Sequence, residues 1–190
     1  MHKIPQSQNK WIEYYPFLEK LDWTKVYTLP SRVLCDTYIL TLQFKIVHRV
    51  FNCNYNLFKW QILDSPKCHC SEIDTLEHYF FYCPSSALFW QQFELWLFQT
   101  FKFHYKFSVL EILLGIINIE KCEFYSINYM VLICKYFIKT CKINERPIHF
   151  SNFLNILKNR LNIEMLIAKK NGKLPLFSSR FGALLHIIQQ

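Results

Sequence analysis

Residues 68–84 read CHCSEIDTLEHYFFYCP. Within them, Cys68, Cys70, His78 and Cys83 follow the spacing C-x-C-x7-H-x4-C. Zinc in proteins prefers four thiolate and imidazole ligands arranged as a tetrahedron. Two cysteines on a tight turn supply one side of that tetrahedron, and a histidine and a cysteine further along the chain supply the other. The spacing therefore predicts one structural Zn²⁺ held by these four side chains.

The backbone around His78 and Cys83 has to bend for this to work. Residues five apart on a straight α-helix diverge by about 140° around its axis. Thr75 is a candidate cap for a short helix that carries His78 in its first turns. Pro84 disfavours the α conformation at the residue before it, which predicts that this helix ends near Tyr82. Cys83 is then free to turn back toward the ion.

Two other interpretations of the cysteine cluster stay open. The three cysteines are also small apolar residues that pack well in a core. The pair C-x-C is less common in zinc sites than C-x2–4-C. His69 is an alternative ligand, although its position between two cysteines predicts a side chain that points away from them.

Composition and charge narrow the class of protein. The chain has 190 residues, of which 52% are hydrophobic and 18% aromatic, so it has enough apolar surface to fold. Its net charge of +8 is uneven: residues 1–60 carry +4, residues 61–100 carry −4 and residues 101–190 carry +8. A basic chain favours an acidic partner such as nucleic acid. The acidic segment around the cysteines should not itself contact phosphates.

The sequence contains no apolar run that predicts a membrane span and no N-terminal export signal. We therefore expect no membrane partner and an intracellular location, in either the cytoplasm or the nucleus. Cysteines in such a compartment are usually reduced. Packing is the expected role of the five cysteines without ligand spacing, which are Cys35, Cys53, Cys122, Cys134 and Cys141.

Hydrophobic periodicity predicts an all-α, irregular helical domain with a small embedded CCHC zinc knuckle. One helix is predicted over residues 31–51, capped by Ser31, with an apolar face of Leu40, Phe44, Val47 and Phe51. Ser85 or Ser86 is predicted to cap the helix that carries Phe89 and Trp90. An amphipathic helix is predicted over residues 128–142, with Lys135, Lys139 and Lys142 as its polar, solvent-facing stripe. Another helix is predicted from Ser151 onward, with Leu154, Leu157, Leu161 and Met165 facing inward.

Several runs of the chain resemble the C-terminal zinc-binding region of LINE-type (non-LTR) retrotransposon reverse transcriptases. They are LQFKIVHR at 42–49, DSPKC at 64–68, LEHYFFYCP at 76–84 and FW at 89–90. Weaker similarities lie at 21–23, 29–30, 112–115, 133–138 and 164–168, so the resemblance covers nearly the whole chain. It implies zinc ligation by Cys68, Cys70, His78 and Cys83, binding of RNA or DNA, and association with the rest of a retroelement polymerase.

We expect the chain to divide into three segments. Residues 1–30 form an N-terminal extension with short helical turns. Residues 31–100 form the reverse-transcriptase-type zinc-binding region, with the knuckle at 68–83. Residues 101–190 form a C-terminal basic helical region.

Catalysis is not expected from this chain. Polymerase chemistry needs clustered carboxylates to hold its metal ions. The sequence has four aspartates and no Asp-Asp pair. A zinc enzyme is a further alternative, but catalytic zinc keeps one position open whereas four ligands are available here.

Candidate nucleic-acid contacts lie on both sides of the acidic segment. They are Lys45, His48 and Arg49 on one predicted helix, Lys59 beside Trp60, and Lys135, Lys139 and Lys142 on another predicted helix. Lysine next to an aromatic ring is typical of single-strand binders. The competing interpretation is that these charges are the solvated faces of ordinary amphipathic helices. A second function class is a protein-interaction scaffold without nucleic-acid affinity of its own.

Overall fold

A computed structural model describes residues 5–117 and 122–185, with only the backbone described for residues 122–124. The all-α prediction is confirmed, since these residues contain no β-strand and only an isolated bridge between Lys67 and Ile73. They form nine α-helices: α1 (Gln6–Tyr14), α2 (Trp23–Val33), α3 (Thr37–Val47), α4 (Asn54–Lys59), α5 (Pro84–Phe101), α6 (Val109–Leu114), α7 (Cys122–Ile143), α8 (Phe150–Lys170) and α9 (Leu174–Phe181).

The described residues also form three shorter helical turns. Two are 3₁₀ turns, at Pro16–Lys20 and Gly182–Leu184. The third is a π-helical turn at His78–Tyr82, directly before α5. None of the helices in the described ranges is long and apolar enough to cross a membrane.

Helix α7 lies at the centre of the fold. It packs against α2, α3, α8, α9 and the π-helical turn. Its side chains are buried almost continuously from Ile127 to Cys134, and again at Phe137, Ile138 and Cys141. A helix that is apolar all round is one that is covered on all sides. The prediction of an amphipathic helix with an exposed lysine stripe is therefore wrong for the middle of α7.

The predicted helix over residues 31–51 is wrong at both ends. Ser31 is not a cap, because α2 continues through Pro30 to Val33 and the Ser31 hydroxyl donates to the Thr28 carbonyl. The next helix, α3, begins at Thr37. Asp36 caps it by accepting hydrogen bonds from the amides of Tyr38 and Ile39, at 2.9 and 3.1 Å.

The buried face of α3 also differs from the predicted one. Phe44 is 58% exposed, and the residues that face the core are Ile39, Leu42, Gln43, Ile46 and Val47. The predicted stripe is displaced around the helix because a buried glutamine interrupts the apolar pattern. Phe51 is buried, but it lies beyond the end of α3.

The remaining predicted caps are also corrected. Helix α5 begins at Pro84, with Cys83 in the capping position, and the Ser86 hydroxyl instead donates to the Tyr79 carbonyl at 2.8 Å. Helix α8 begins at Phe150, so Ser151 lies inside it. Its fully buried residues are Phe153, Leu157 and Leu161, while Leu154 and Met165 are half-buried.

The buried core contains residues from Trp11 to Leu184, which covers all three segments assigned from the sequence. Contacts between α2 and α7 and between α3 and α7 join the first two segments to the third. The division at residues 30 and 100 stays a prediction.

Gly115 ends α6 at a close approach between helices. Its φ of +94° is unfavourable for any residue with a side chain. A Cβ atom there would lie 2.2 Å from Leu29 Cδ2 on α2 and 3.3 Å from Asn128 Oδ1 on α7. The Asn128 side chain in turn bonds the amide and carbonyl of Ile116 at 2.8 and 3.0 Å.

We expect Gly115→Ala to lower the free energy of unfolding by about 3 kcal/mol, from backbone strain and overpacking together. Gly182→Ala is the matched control, because Gly182 has a helical φ of −53° and there is open space where its Cβ atom would lie. Chemical denaturation of both variants measures the difference. Equal stabilities would contradict the close packing of α6 against α2.

Candidate metal-binding site

The first two candidate ligands lie on a tight loop between Pro66 and Asp74. The Cys68 amide donates to the Glu72 carbonyl at 2.8 Å, and the Ser71 amide donates to the Cys68 carbonyl at 2.9 Å. Ser71 has a φ of +72°, which lets the chain reverse within these few residues. The turn brings the side chains of Cys68 and Cys70 to one side.

The other two candidate ligands flank the π-helical turn. The Thr75 hydroxyl accepts a hydrogen bond from the His78 amide at 3.1 Å, as predicted for a cap. The Cys83 amide donates to the His78 carbonyl at 2.8 Å, which closes a turn of five residues. This wider turn removes much of the angular divergence that a regular α-helix would impose. The helical conformation ends at Tyr82, also as predicted.

These two pieces of backbone bring four side chains together. One ligand atom from each of Cys68, Cys70, His78 and Cys83 lies within 4.8 Å of all the others. The Cys68 and Cys83 sulfurs are 3.9 Å apart, and the Cys70 sulfur is 3.2 Å from His78 Nε2. We call these four side chains the Cys/His cluster. Their geometry can hold a metal ion, and His69 does not belong to the group.

The loop that carries Cys68 and Cys70 is anchored to α4. One oxygen of Asp74, Oδ2, accepts from the Asn54 amide at 3.0 Å, and the Asp74 carbonyl accepts from the Tyr55 amide at 3.2 Å. The Asn54 side chain donates to the Lys67 carbonyl at 2.7 Å. Asp74 is buried, and that burial raises the pKa of its carboxyl group. These bonds tie both ends of the loop to one short helix.

The π-helical turn is anchored to α5 from below. The indole of Trp90 donates to the Phe80 carbonyl at 2.6 Å. Ser86 Oγ donates to the Tyr79 carbonyl at 2.8 Å. Phe51 packs beneath the turn, with its ring centroid 4.8 Å from that of Tyr79 and 4.9 Å from that of Phe80. The turn that carries His78 therefore packs against the aromatic side chains of Phe51 and Trp90.

Arg49 links the same turn to α1, through an ion pair on one side and two aromatic rings on the other. Arg49 Nη1 lies 2.7 Å from Glu77 Oε1, and both side chains are nearly buried. The Arg49 guanidinium also lies 4.4 Å from the ring of Trp11 and 4.5 Å from the ring of Tyr14. Breaking such a buried pair leaves an uncompensated charge. The Arg49 guanidinium is therefore engaged by partners within the protein.

The cluster has an uneven electrostatic environment. Burial raises the pKa of the Cys68 thiol to about 11 and lowers the pKa of the His78 imidazole, which keeps that imidazole neutral. Burial also opposes ionisation of Cys83, but hydrogen bonds from Ser85 and the nearby Lys142 ammonium outweigh it and lower the pKa of the Cys83 thiol. A neutral imidazole and an ionised thiol are the forms that bind metals.

The eight candidate nucleic-acid contacts occupy very different environments. Lys59 is exposed and Trp60 is 46% exposed, and Lys59 Nζ lies 5.3 Å from the Tyr55 ring. Lys45 and Lys139 are half-buried. The ring of His48 is half-buried between Tyr27 and Phe44, and burial lowers its pKa. Arg49 is paired with Glu77, as described above.

Two of the predicted lysines point into the protein. Lys135 is 1% exposed and donates to Gln43 Oε1, while Gln43 Nε2 donates to the Leu113 carbonyl at 2.8 Å. The prediction that Lys135 lies on an exposed stripe is therefore wrong. Lys142 donates to the Tyr79 carbonyl at 2.7 Å and lines the same groove as Cys68, Cys70 and Cys83.

The cysteines outside the cluster divide into two groups. Cys53, Cys134 and Cys141 are buried, as packing residues should be. Cys35 is exposed, which the packing prediction did not anticipate. The prediction for Cys122 concerns a side chain outside the described residues.

Sequence reasoning missed the supports of the cluster. Asp74, Asn54, Glu77 and Lys142 act through partners that lie 13 to 63 residues away in the chain. No local spacing identifies such pairs.

A comparison with models of protein families gives no match, and a comparison with curated proteins gives none either.

The buried lysine makes a prediction about stability and pH. Burial lowers the pKa of Lys135 to about 7, so the folded chain binds this proton less tightly than the unfolded chain does. The free energy of unfolding therefore increases as the pH rises from 7 toward the pKa that Lys135 has in the unfolded chain. We expect the difference in unfolding free energy between wild type and Lys135→Met to shift by about 2 kcal/mol in favour of wild type from pH 7 to pH 9.

Denaturant titrations at constant metal saturation measure this difference. Lys139→Met is the matched control, because Lys139 lies one turn further along α7 and is only half-buried. Its difference from wild type should stay constant over the same pH range. A Lys135→Met difference that does not change with pH would place the Lys135 amine in solvent.

Proposed function

We propose that the Cys/His cluster binds one zinc ion. Two sulfurs bound at about 2.3 Å to a tetrahedral zinc lie about 3.8 Å apart. The separation of 3.9 Å between the Cys68 and Cys83 sulfurs matches this value. Three thiolates and one imidazole are also the soft and borderline donors that zinc selects. This match of spacing and donor type is the observation that carries the proposal.

The proposed ion has a structural role. Four protein ligands fill a tetrahedral shell, whereas catalytic zinc keeps one position for water or substrate. His78 and Cys83 are buried, and the backbone that carries the four ligands is bonded to α4 and α5. The acidic segment from 61 to 100 has little core of its own between α4 and the π-helical turn. A metal crosslink there would stabilise it.

We further propose that the chain is a non-catalytic module that binds nucleic acid. Support comes from the net charge of +8 and from the resemblance to the zinc-binding region of retroelement reverse transcriptases. Among the candidate contacts, Lys59 and Trp60 combine an exposed charge with an exposed ring at the end of α4. Exposed Phe58 precedes them. Such a platform suits the backbone and bases of a single strand.

A protein-interaction scaffold is the second candidate, and one observation favours it. Ile163, Leu166 and Ile167 are each at least half exposed and recur at helical spacing on α8. Leu174 and Leu176 at the start of α9 are exposed as well. Apolar stripes of this kind mark interaction surfaces. The two candidates are separated by the binding experiment described below.

Metal analysis of the purified chain tests the zinc site. We expect one equivalent of zinc in the wild type and none retained in Cys68→Ser or His78→Ala. Cys35→Ser and His69→Ala are matched controls, because both residues are exposed and neither belongs to the cluster. Both should keep the full equivalent. Zinc retained in His78→Ala but lost from His69→Ala would show that His69 is the histidine ligand and would contradict the assignment of His78.

A salt titration of single-stranded RNA and DNA binding tests the nucleic-acid proposal. Affinity should fall steeply as the salt concentration rises, because phosphate contacts release counterions. Lys59→Gln should reduce the salt slope by about one, and Trp60→Ala should cost about 1–3 kcal/mol of binding free energy. Lys20→Gln, at an exposed site near the N-terminus, is the control.

Little binding at low salt, or binding that ignores salt, would contradict the nucleic-acid proposal. Self-association of the chain without any affinity for nucleic acid would favour the scaffold. In that case Leu166→Lys should weaken the self-association, since it places a charge in the exposed stripe of α8.

A further inference from the structure

Lys142 sits where the last turn of α7 meets the Cys/His cluster. Its ammonium donates to the Tyr79 carbonyl at 2.7 Å and lies 4.4 Å from the centre of the Tyr79 ring. It lines the same groove as Cys68, Cys70 and Cys83. The Tyr79 carbonyl also accepts from Ser86, so this ammonium joins α7 to the turn at a point already bonded to α5.

The Lys142 ammonium shares its groove with charged and ligating members of the site. Asp74, which anchors the ligand loop to α4, lines that groove together with three of the four candidate ligands, Cys68, Cys70 and Cys83. A positive charge at this place stabilises thiolate sulfurs electrostatically. Thiolates are the form in which cysteines bind metals.

The proposed zinc site needs a cation nearby. One Zn²⁺ with three thiolates and a neutral imidazole carries a net charge of −1, and the surrounding segment from 61 to 100 carries −4. Lys67 is exposed and Arg49 is bonded to Glu77. Lys142 is half-buried in the groove that Cys68, Cys70 and Cys83 line, where water screens its charge less.

We propose that Lys142 is the counter-charge of the zinc centre and the residue through which the metal holds α7 against the π-helical turn. This inference rests on the proposed zinc binding and adds a positioning residue outside the ligand set. A positive charge beside a metal-bound thiolate stabilises the negative charge on the sulfur and makes that sulfur a weaker nucleophile. Lys142 thereby tightens metal binding and protects Cys83 from electrophiles.

Zinc affinity and thiol reactivity of Lys142→Met test the inference. Methionine keeps most of the apolar stem over Tyr79 and removes the charge and the donor. We expect zinc affinity, measured by competition with a chromophoric chelator, to fall about 10–100-fold, as for other outer-shell partners. Zinc release by an alkylating reagent should become faster. Lys142→Arg should restore most of both properties, because it restores the positive charge.

Lys139→Met is the matched control, since Lys139 lies on the same helix and its Nζ contacts the Tyr136 ring at 5.9 Å. If wild type binds one zinc and Lys142→Met matches Lys139→Met in affinity and release rate, the inference is wrong while the zinc site stands. If wild type binds no zinc, both proposals fall.

Hydrogen exchange on the unmodified chain supplies a second test that needs no variant. If the metal holds α7 through Lys142, removal of zinc should speed amide exchange at residues 138–143. The middle of α8 should change less, because Phe153, Leu157 and Leu161 pack away from the cluster in the aromatic core. No local increase at residues 138–143 would overturn the inference.

Discussion

The hydrogen bond from the Cys83 amide to the His78 carbonyl is the interaction on which the arrangement of the site depends. It closes a turn of five residues in place of four, and Pro84 prevents the turn from continuing as an α-helix through Cys83. Two consequences follow from this one bond. His78 and Cys83 come close enough to form the Cys/His cluster with Cys68 and Cys70. Helix α5 starts immediately afterwards, with the φ angle of its first residue already fixed by proline.

The turn is also the point where distant parts of the chain meet. Glu77 forms an ion pair with Arg49, and the Arg49 guanidinium in turn packs on two aromatic rings of α1. The Tyr79 carbonyl receives Ser86 from α5 and Lys142 from α7. A metal ion at this position would therefore crosslink a loop to a junction of three helices, rather than stabilise a loop on its own.

The sequence was most informative where the chemistry is local. The convergence of Cys68, Cys70, His78 and Cys83, the Thr75 cap and the end of the turn at Tyr82 all follow from neighbouring residues, and the structure shows each of these three features. Helix boundaries were less predictable, because Pro30 is accommodated inside α2. The cap of α3 is Asp36, a residue type that favours this position, and not Ser31. Lys135 and Lys142 could not be placed from their spacing. Their environments are decided by Gln43 and Tyr79, which lie 92 and 63 residues away.

X-ray absorption at the zinc edge of the purified chain reports the atoms bound to the metal, and so decides whether the Cys/His cluster is a closed zinc site. We expect three sulfur ligands at about 2.3 Å and one nitrogen ligand at about 2.0 Å, with no bound water. A first shell with two or fewer sulfurs, or with oxygen in place of nitrogen, would contradict a closed site built from Cys68, Cys70, His78 and Cys83.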